Sequence, residues 1–172
     1  MFVQLGSPSE PTTKALRKYL RKFLGDPRVI DINPWLWKII LNCFILPFRP
    51  QKSAKLYARI WDGESFPLIT NTRDFTKNVG EELKKIDPEG YVEVNHAFLL
   101  SPPYVNEIYD SWEEDLKKGI GATKLLVIPM FPQYSESTIA SGIDALAKEL
   151  SKRVKIPTFE VITNFHRTHA FI

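Results

Sequence analysis

The 172-residue chain holds a single cysteine, Cys43, only eight glycines, and no marked excess of charge of either sign. One cysteine excludes an internal disulfide framework and suits a reducing compartment. No histidine adjoins Cys43 in sequence, so the thiol reads as packing rather than as a nucleophile. The 23 basic residues against 20 acidic ones leave a net charge of +3. That balance, with the basic residues spread along candidate helices, argues against a nucleic-acid partner. No apolar run is long enough to span a bilayer. The start, Met1 to Leu5, enters a Gly6-Ser7-Pro8 turn with no secretory pattern, so a cytoplasmic location is expected. Phosphate-binding glycine signatures are missing as well. Leu5-Gly6-Ser7-Pro8-Ser9-Glu10 lacks the later glycines of a dinucleotide turn, and there is no Walker sequence.

Proline, by contrast, is abundant. The 13 prolines include Pro8, Pro11, Pro27, Pro34, Pro47, Pro50, Pro102, Pro103, Pro129 and Pro132, and they fall between candidate elements as punctuation. No repeat or low-complexity linker interrupts them. With 44% hydrophobic residues, the length suits one domain, 1–172, with a substantial core.

Phe2–Leu5 reads as a short buried strand. Thr12 or Thr13 then caps a helix whose apolar side is Leu16, Tyr19, Leu20, Phe23 and Leu24, at helical spacing. Gly25-Asp26-Pro27 stops it. Further helices are expected over Gln51–Trp61, from an Asn71 or Thr72 cap to about Ile86 with Phe75, Val79, Leu83 and Ile86 inward, over Tyr104–Lys118, and over Ser137–Val154. Strands are expected at Tyr91–Leu100, Lys124–Met130 and Thr158–Ile162, and a further helix at the Ile172 end. The run Leu125-Leu126-Val127-Ile128 is apolar without alternation, as in a central parallel strand. The alternation predicts a three-layer α/β domain: a four-stranded parallel sheet flanked by helices, with right-handed crossovers.

Trp35–Phe48 is apolar on nearly all sides, interrupted by Lys38 and Asn42. Three readings stand: a buried helix, a hydrophobic lip over a ligand cleft, or a segment dipping into a membrane interface at its inner face.

The richest candidate site is Pro132-Gln133-Tyr134-Ser135-Glu136-Ser137-Thr138, where a strand ends and a helix begins. Ligands of open α/β sheets sit at the carboxyl ends of strands, and hydroxyls at a helix start suit an anionic group. If the first and third strands are neighbours, this loop shares one cleft with the Gly6-Ser7-Pro8 turn. Of the three histidines, His166 and His169 stand three apart with no acid or cysteine close in sequence, and a surface or helix-entry role is expected for them. His96 lies within a strand.

Several stretches, in order, resemble the N-terminal half of ferrochelatase. They are Leu5-Gly6-Ser7-Pro8; Phe23-Leu24-Gly25-Asp26-Pro27-Arg28-Val29-Ile30; Ile45 to Ala54 leading into Tyr57 and Ile60-Trp61; Pro132 to Thr138; and Phe165 to Ile172. The resemblance implies one of two similar α/β halves enclosing a porphyrin, into which ferrous iron is inserted to make haem. The substrates would be protoporphyrin IX and ferrous iron, and no resident cofactor is implied. Porphyrin contacts would come from Leu5, Gly6, Ser7, Pro8, Tyr57, Gln133, Tyr134, Ser135, Ser137 and Thr138. Trp35–Phe48 would be the lip. The implied partners are porphyrin, a C-terminal half or a second subunit, and a peripheral membrane contact. The family's catalytic histidine and glutamate belong to motifs that do not occur in these 172 residues, so no catalytic residue is assigned here. His96 is the candidate metal-facing histidine should a half-length, homodimeric enzyme exist. Two departures stand out. Phe98-Leu99-Leu100 carries leucines where the family tends to carry Arg and Tyr, and Ser65-Phe66-Pro67-Leu68 replaces Gly-Ser-Pro-Leu. These leave open a porphyrin- or haem-binding relative without chelatase activity.

Overall fold

The computed structural model describes residues 1–90, 92–169 and 171. Four strands form one all-parallel sheet: β1 (Phe2–Gln4), β2 (His96–Phe98), β3 (Lys124–Pro129) and β4 (Thr158–Val161), in the order β2-β1-β3-β4. The expected α/β architecture is therefore present, and β3 is internal as its apolar run implied. Phe2 pairs with His96 on one side and Ile128 on the other, so β1 and β3 are neighbours.

Helices fill the crossovers. Between β1 and β2 lie α1 (Thr13–Leu24), α2 (Pro34–Ile40), α3 (Arg49–Tyr57) and α4 (Pro67–Ile86). Then α5 (Val105–Lys117) joins β2 to β3, and α6 (Ser141–Leu150) joins β3 to β4. Thr12 caps α1, its hydroxyl accepting from the Ala15 amide at 3.2 Å, and Leu16, Tyr19, Leu20 and Leu24 are buried as the periodicity required. These four pack with Leu41, Leu46 and Ala54 into one core cluster. The second lies on the sheet, where Val3, Ala97 and Val127 meet Val105, Tyr109, Leu146 and Leu150 of α5 and α6. Each fully buried side chain of this kind, Leu16 or Ile139 for example, contributes roughly 1.5–3 kcal/mol of hydrophobic stabilisation. Past the end of α6, Arg153 reaches Asp110 (2.7 Å) and Glu113 (3.0 Å) on α5 while also pairing with Glu149.

Several boundaries differ from expectation, each for a local reason. Helix α4 begins five residues before Thr72, because Pro67 in its first turn needs no amide partner there. Thr72 and Thr76 then turn inward, their hydroxyls donating to the carbonyls of Leu68 (2.7 Å) and Thr72 (2.8 Å). This rotates Phe75 and Ile86 outward, to 43% and 80% exposure. The second strand shrinks to three residues because Asp87 holds the preceding turn, its carboxylate accepting from the Val92 amide at 3.0 Å. Tyr91, where that strand was expected to start, lies outside the described residues. Helix α3 starts at Arg49 and relaxes to a 3-10 turn at Ala58–Ile60. The helix expected from Ser137 is instead a π-type turn, Glu136–Ala140, continued by α6, which stops at Leu150. The helix expected at the Ile172 end lies outside the described residues in part, since Ala170 and Ile172 are among those omitted. The last described segment forms turns.

The buried-helix reading of Trp35–Phe48 is overturned. Trp35 is 77% exposed, and Leu36, Ile39, Phe44 and Phe48 all exceed half. Leu41 and Leu46 are buried in the core, Trp37 and Ile45 pack against it half-buried, and the Trp37 indole donates to the Leu24 carbonyl at 2.6 Å. One contact stripe suffices to hold the segment against α1, so the rest of its apolar surface faces outward.

Candidate functional site

The carboxyl ends of β1 and β3 put the two expected loops side by side. β1 ends in Leu5 and the Gly6-Ser7-Pro8 turn. Gly6 has φ +92°, and a Cβ there would stand 2.3 Å from the Ser101 hydroxyl and 3.0 Å from Phe98 Cβ. Only glycine fits both the backbone and the space. The turn is held from behind. The Ser7 amide donates to Ser101 Oγ (3.3 Å), the Leu100 amide to the Leu5 carbonyl (3.0 Å), and the Tyr19 hydroxyl to the Gly6 carbonyl (3.5 Å). Burial, reinforced by Tyr57, pushes the Tyr19 phenol well above its usual range. Tyr57 is half-buried, 6.2 Å from Tyr19 and edge-on to Phe66 at 5.5 Å, so it stands behind the turn as an aromatic prop.

β3 ends beside it, the Met130 amide donating to the Val3 carbonyl at 2.8 Å. The Pro132 carbonyl then accepts from both the Phe165 and His166 amides at 3.0 Å, which folds the chain after β4 over this loop. Gln133 and Tyr134 are exposed, Tyr134 to 54%. Ser135 does not cap the helix with its side chain. Its Oγ pairs with Ser137 Oγ at 3.1 Å, while its carbonyl accepts the Ile139 amide at 2.9 Å. The Thr138 hydroxyl also turns back to that carbonyl, at 3.5 Å. The result is an open cavity of about 440 Å³ lined by Phe131, Pro132, Gln133, Tyr134, Ser135, Thr138, His166 and Phe171.

His166 was not assigned to the site from sequence. Its Nδ1 is buried and finds no hydrogen-bond partner among the described residues. A buried polar atom left unpaired costs free energy, so it is suited to meet a ligand that supplies the partner. His166 lies in the Phe165 to Ile172 stretch that resembles the family, but its place at the cavity comes from the backbone bonds to Pro132. His169 is exposed. His96 opens β2, edge-on to Phe98 at 5.4 Å and in register with Phe2, which pairs on its other side with Ile128, one residue before the end of β3. Burial, then the Arg73 charge, lowers its pKa. It is not brought together with either loop. Among the described residues, no three His, Cys, Asp or Glu side chains cluster as metal ligands would.

The stretch leading into Trp35–Phe48 is linked to this end of the sheet. Arg28, just before it, forks onto Asp144 of α6 at 2.8 and 3.1 Å. Those hydrogen bonds hold the Asp144 carboxyl below the usual carboxylate range. Leu99 and Leu100 point into different cores, Leu99 joining the sheet cluster and Leu100 the α1–α3 cluster.

The family model for ferrochelatase matches residues 1–172. The chain belongs to the ferrochelatase family. It is 41% identical over 172 residues to a ferrochelatase of Idiomarina loihiensis, covering all of this chain and 46% of that protein. It is 39% identical over 172 residues to a coproporphyrin III ferrochelatase of Streptococcus mutans, of which it covers 52%. A ferrochelatase of Marinobacter nauticus is 37% identical over 166 residues, 96% of this chain and 43% of the relative. The chain thus spans about half the length of the curated relatives it matches. The four-stranded parallel sheet is consistent with a chelatase-type half domain. No helix among the described residues is long and apolar enough to cross a membrane.

Proposed function

We propose that this chain is the N-terminal porphyrin-binding half of a ferrochelatase, which inserts ferrous iron into protoporphyrin IX. The observation that carries this reading is the pairing of β1 with β3, which sets the Gly6 turn beside the Ser135 loop in a chain matched throughout by the family. The chemistry divides accordingly. Each pyrrole N–H must lose its proton as iron enters, which needs a positioned base, and holding the ring out of plane exposes the nitrogens. This half supplies the holding surface. Tyr134 offers an exposed ring, Ser135, Ser137 and Thr138 offer hydroxyls to a propionate or the ring edge, and His166 offers an unpaired nitrogen. Leu5, Gly6, Ser7, Pro8 and Tyr57 shape the wall from behind. The proton-moving histidine and glutamate come from the other half, so the 172 residues alone do not catalyse.

A second reading, a porphyrin- or haem-binding protein without insertion activity, is favoured by Leu99 and Leu100, which are packed into the cores where the family tends to carry Arg and Tyr. A homodimeric short chelatase using His96 is less favoured, because His96 does not line the cavity beside the Ser135 loop. The exposed apolar row from Trp35 to Phe48 supports a peripheral lipid contact.

The test joins this chain to the second half of the Idiomarina relative and measures iron insertion beside protoporphyrin fluorescence titration. Saturable binding with insertion supports the first reading. Binding without insertion, in a fusion that folds, transfers support to the second. No saturable binding by either protein removes both.

A further inference from the structure

The two faces of the sheet are unequally covered. Right-handed crossovers place α1–α4 on one face, because β2 lies to one side of β1, and α5 and α6 on the other, because β3 and β4 lie to the opposite side. Alternation along β3 sends Val127 into the α5–α6 core, where it is 3% exposed. Its neighbour Leu126 points to the opposite face and is 40% exposed, although β3 is an internal strand. Ile128 and Phe2, which share that face in register, are only half-buried. Phe75 of α4 closes over Phe2 at 5.1 Å but remains 43% exposed. An apolar trough therefore runs between α4 and β3, walled on its β4 side by Glu160, which is in register with Leu126 and pairs with Lys124 at 3.2 Å. A doubly wound sheet requires a helix at this place.

We infer that this trough is the seat of an amphipathic helix from the other half of a ferrochelatase, the half the relatives possess beyond the length matched here. The inference rests on the two-half reading above. Two observations select this occupant. The relatives are about twice the length of the match, so they hold a further domain's worth of chain. The backbone after β4 also turns over the end of β3 at Pro132, so a helix leaving that point antiparallel to the strands passes Ile128, then Leu126 with Glu160 beside it, then Lys124. A six-residue strand is spanned by about 11–13 helical residues, an ordinary helix length. Its apolar side would meet Leu126, and a polar residue near its end would meet Lys124 or Glu160.

The experiment introduces Leu126→Cys in a Cys43→Ser background, in the 172-residue chain and in its fusion to the second half of the Idiomarina relative. Maleimide reaction rates are compared, with Ile120→Cys, 73% exposed in the wild-type chain, as the control site. The thiol at 126 should react at least about tenfold more slowly in the fusion, with the control unchanged. Equal rates at 126 overturn the inference. So does concentration-dependent protection in the short chain with dimerisation, which would make a second copy the occupant. Hydroxyl-radical footprinting of Leu126 and Phe75 in the unsubstituted proteins reads the same burial should a cysteine variant misfold. Porphyrin titration of the same fusion keeps the two ideas apart. Porphyrin binding with an unprotected site 126 sinks the docking site alone, and protection without porphyrin binding sinks the functional reading alone.

Discussion

Two loops leave the same end of adjacent strands, yet they are built for opposite purposes. The Gly6-Ser7-Pro8 turn is buried and bonded from behind by Ser101, Leu100 and Tyr19. The Ser135–Thr138 loop has its hydroxyls bonded only to one another or to its own backbone, beside an exposed Tyr134 and an open cavity. The first has its Ser7 amide and its Leu5 and Gly6 carbonyls committed to the scaffold behind it. The second can exchange its bonds for a ligand's at small cost. The comparison separates a buried turn from an open loop at the same end of neighbouring strands, and only the second lines the cavity.

The largest effect should fall on the first loop. Gly6→Ala forces a side chain into a left-handed backbone and against Ser101, and should cost about 2–5 kcal/mol in chemical unfolding. A variant as stable as wild type would break the comparison outright. Ser101→Ala removes the acceptor for the Ser7 amide, and a loss of about 1–2 kcal/mol is expected from the same measurement. On the second loop the pattern should invert. Ser137→Ala should leave the unfolding midpoint within error while weakening protoporphyrin binding by about 2- to 10-fold, the worth of one hydrogen bond. If stability falls instead and affinity holds, the hydroxyl pair is scaffold. The smallest effect belongs to the tie beside that loop. Asp144→Asn should cost less than about 1 kcal/mol near neutrality, since the Arg28–Asp144 pair is well exposed. The sign in pH follows from its lowered carboxyl. The contribution is complete above the unfolded carboxylate pKa near 3.8 and is lost as pH falls through the lower folded value. Wild type and variant should therefore converge in acid, which paired unfolding curves would show.

What could be read from the sequence followed the strength of the local pattern. Helix α1 was legible because apolar spacing, an N-cap threonine and a terminal glycine agreed. β3 was legible as an internal parallel strand, but not the exposure of Leu126, because an apolar run carries no information on which face lacks a cover. In α4 the cap chemistry of Asn71 and Thr72 pointed to the wrong start. Threonine hydroxyls that bond back to their own helix can be buried, and that choice is made by packing. Trp35–Phe48 was ambiguous for a related reason: a segment apolar all round states how much it could bury, not how much it does. The Ser135 loop was visible in its hydroxyls and in its place at a strand end. His166 was not, since its position depends on two backbone bonds to a residue 34 places earlier.

The Arg28–Asp144 fork spans 116 residues of sequence and fastens the stretch before the Trp35 segment to the helix that follows the Ser135 loop. Mechanically it is a strut between the α1–α2 connection and α6. Because the strut is ionic and open to water, dissolved salt weakens it. The coupling of these two regions is thereby made a property of the medium as well as of the fold.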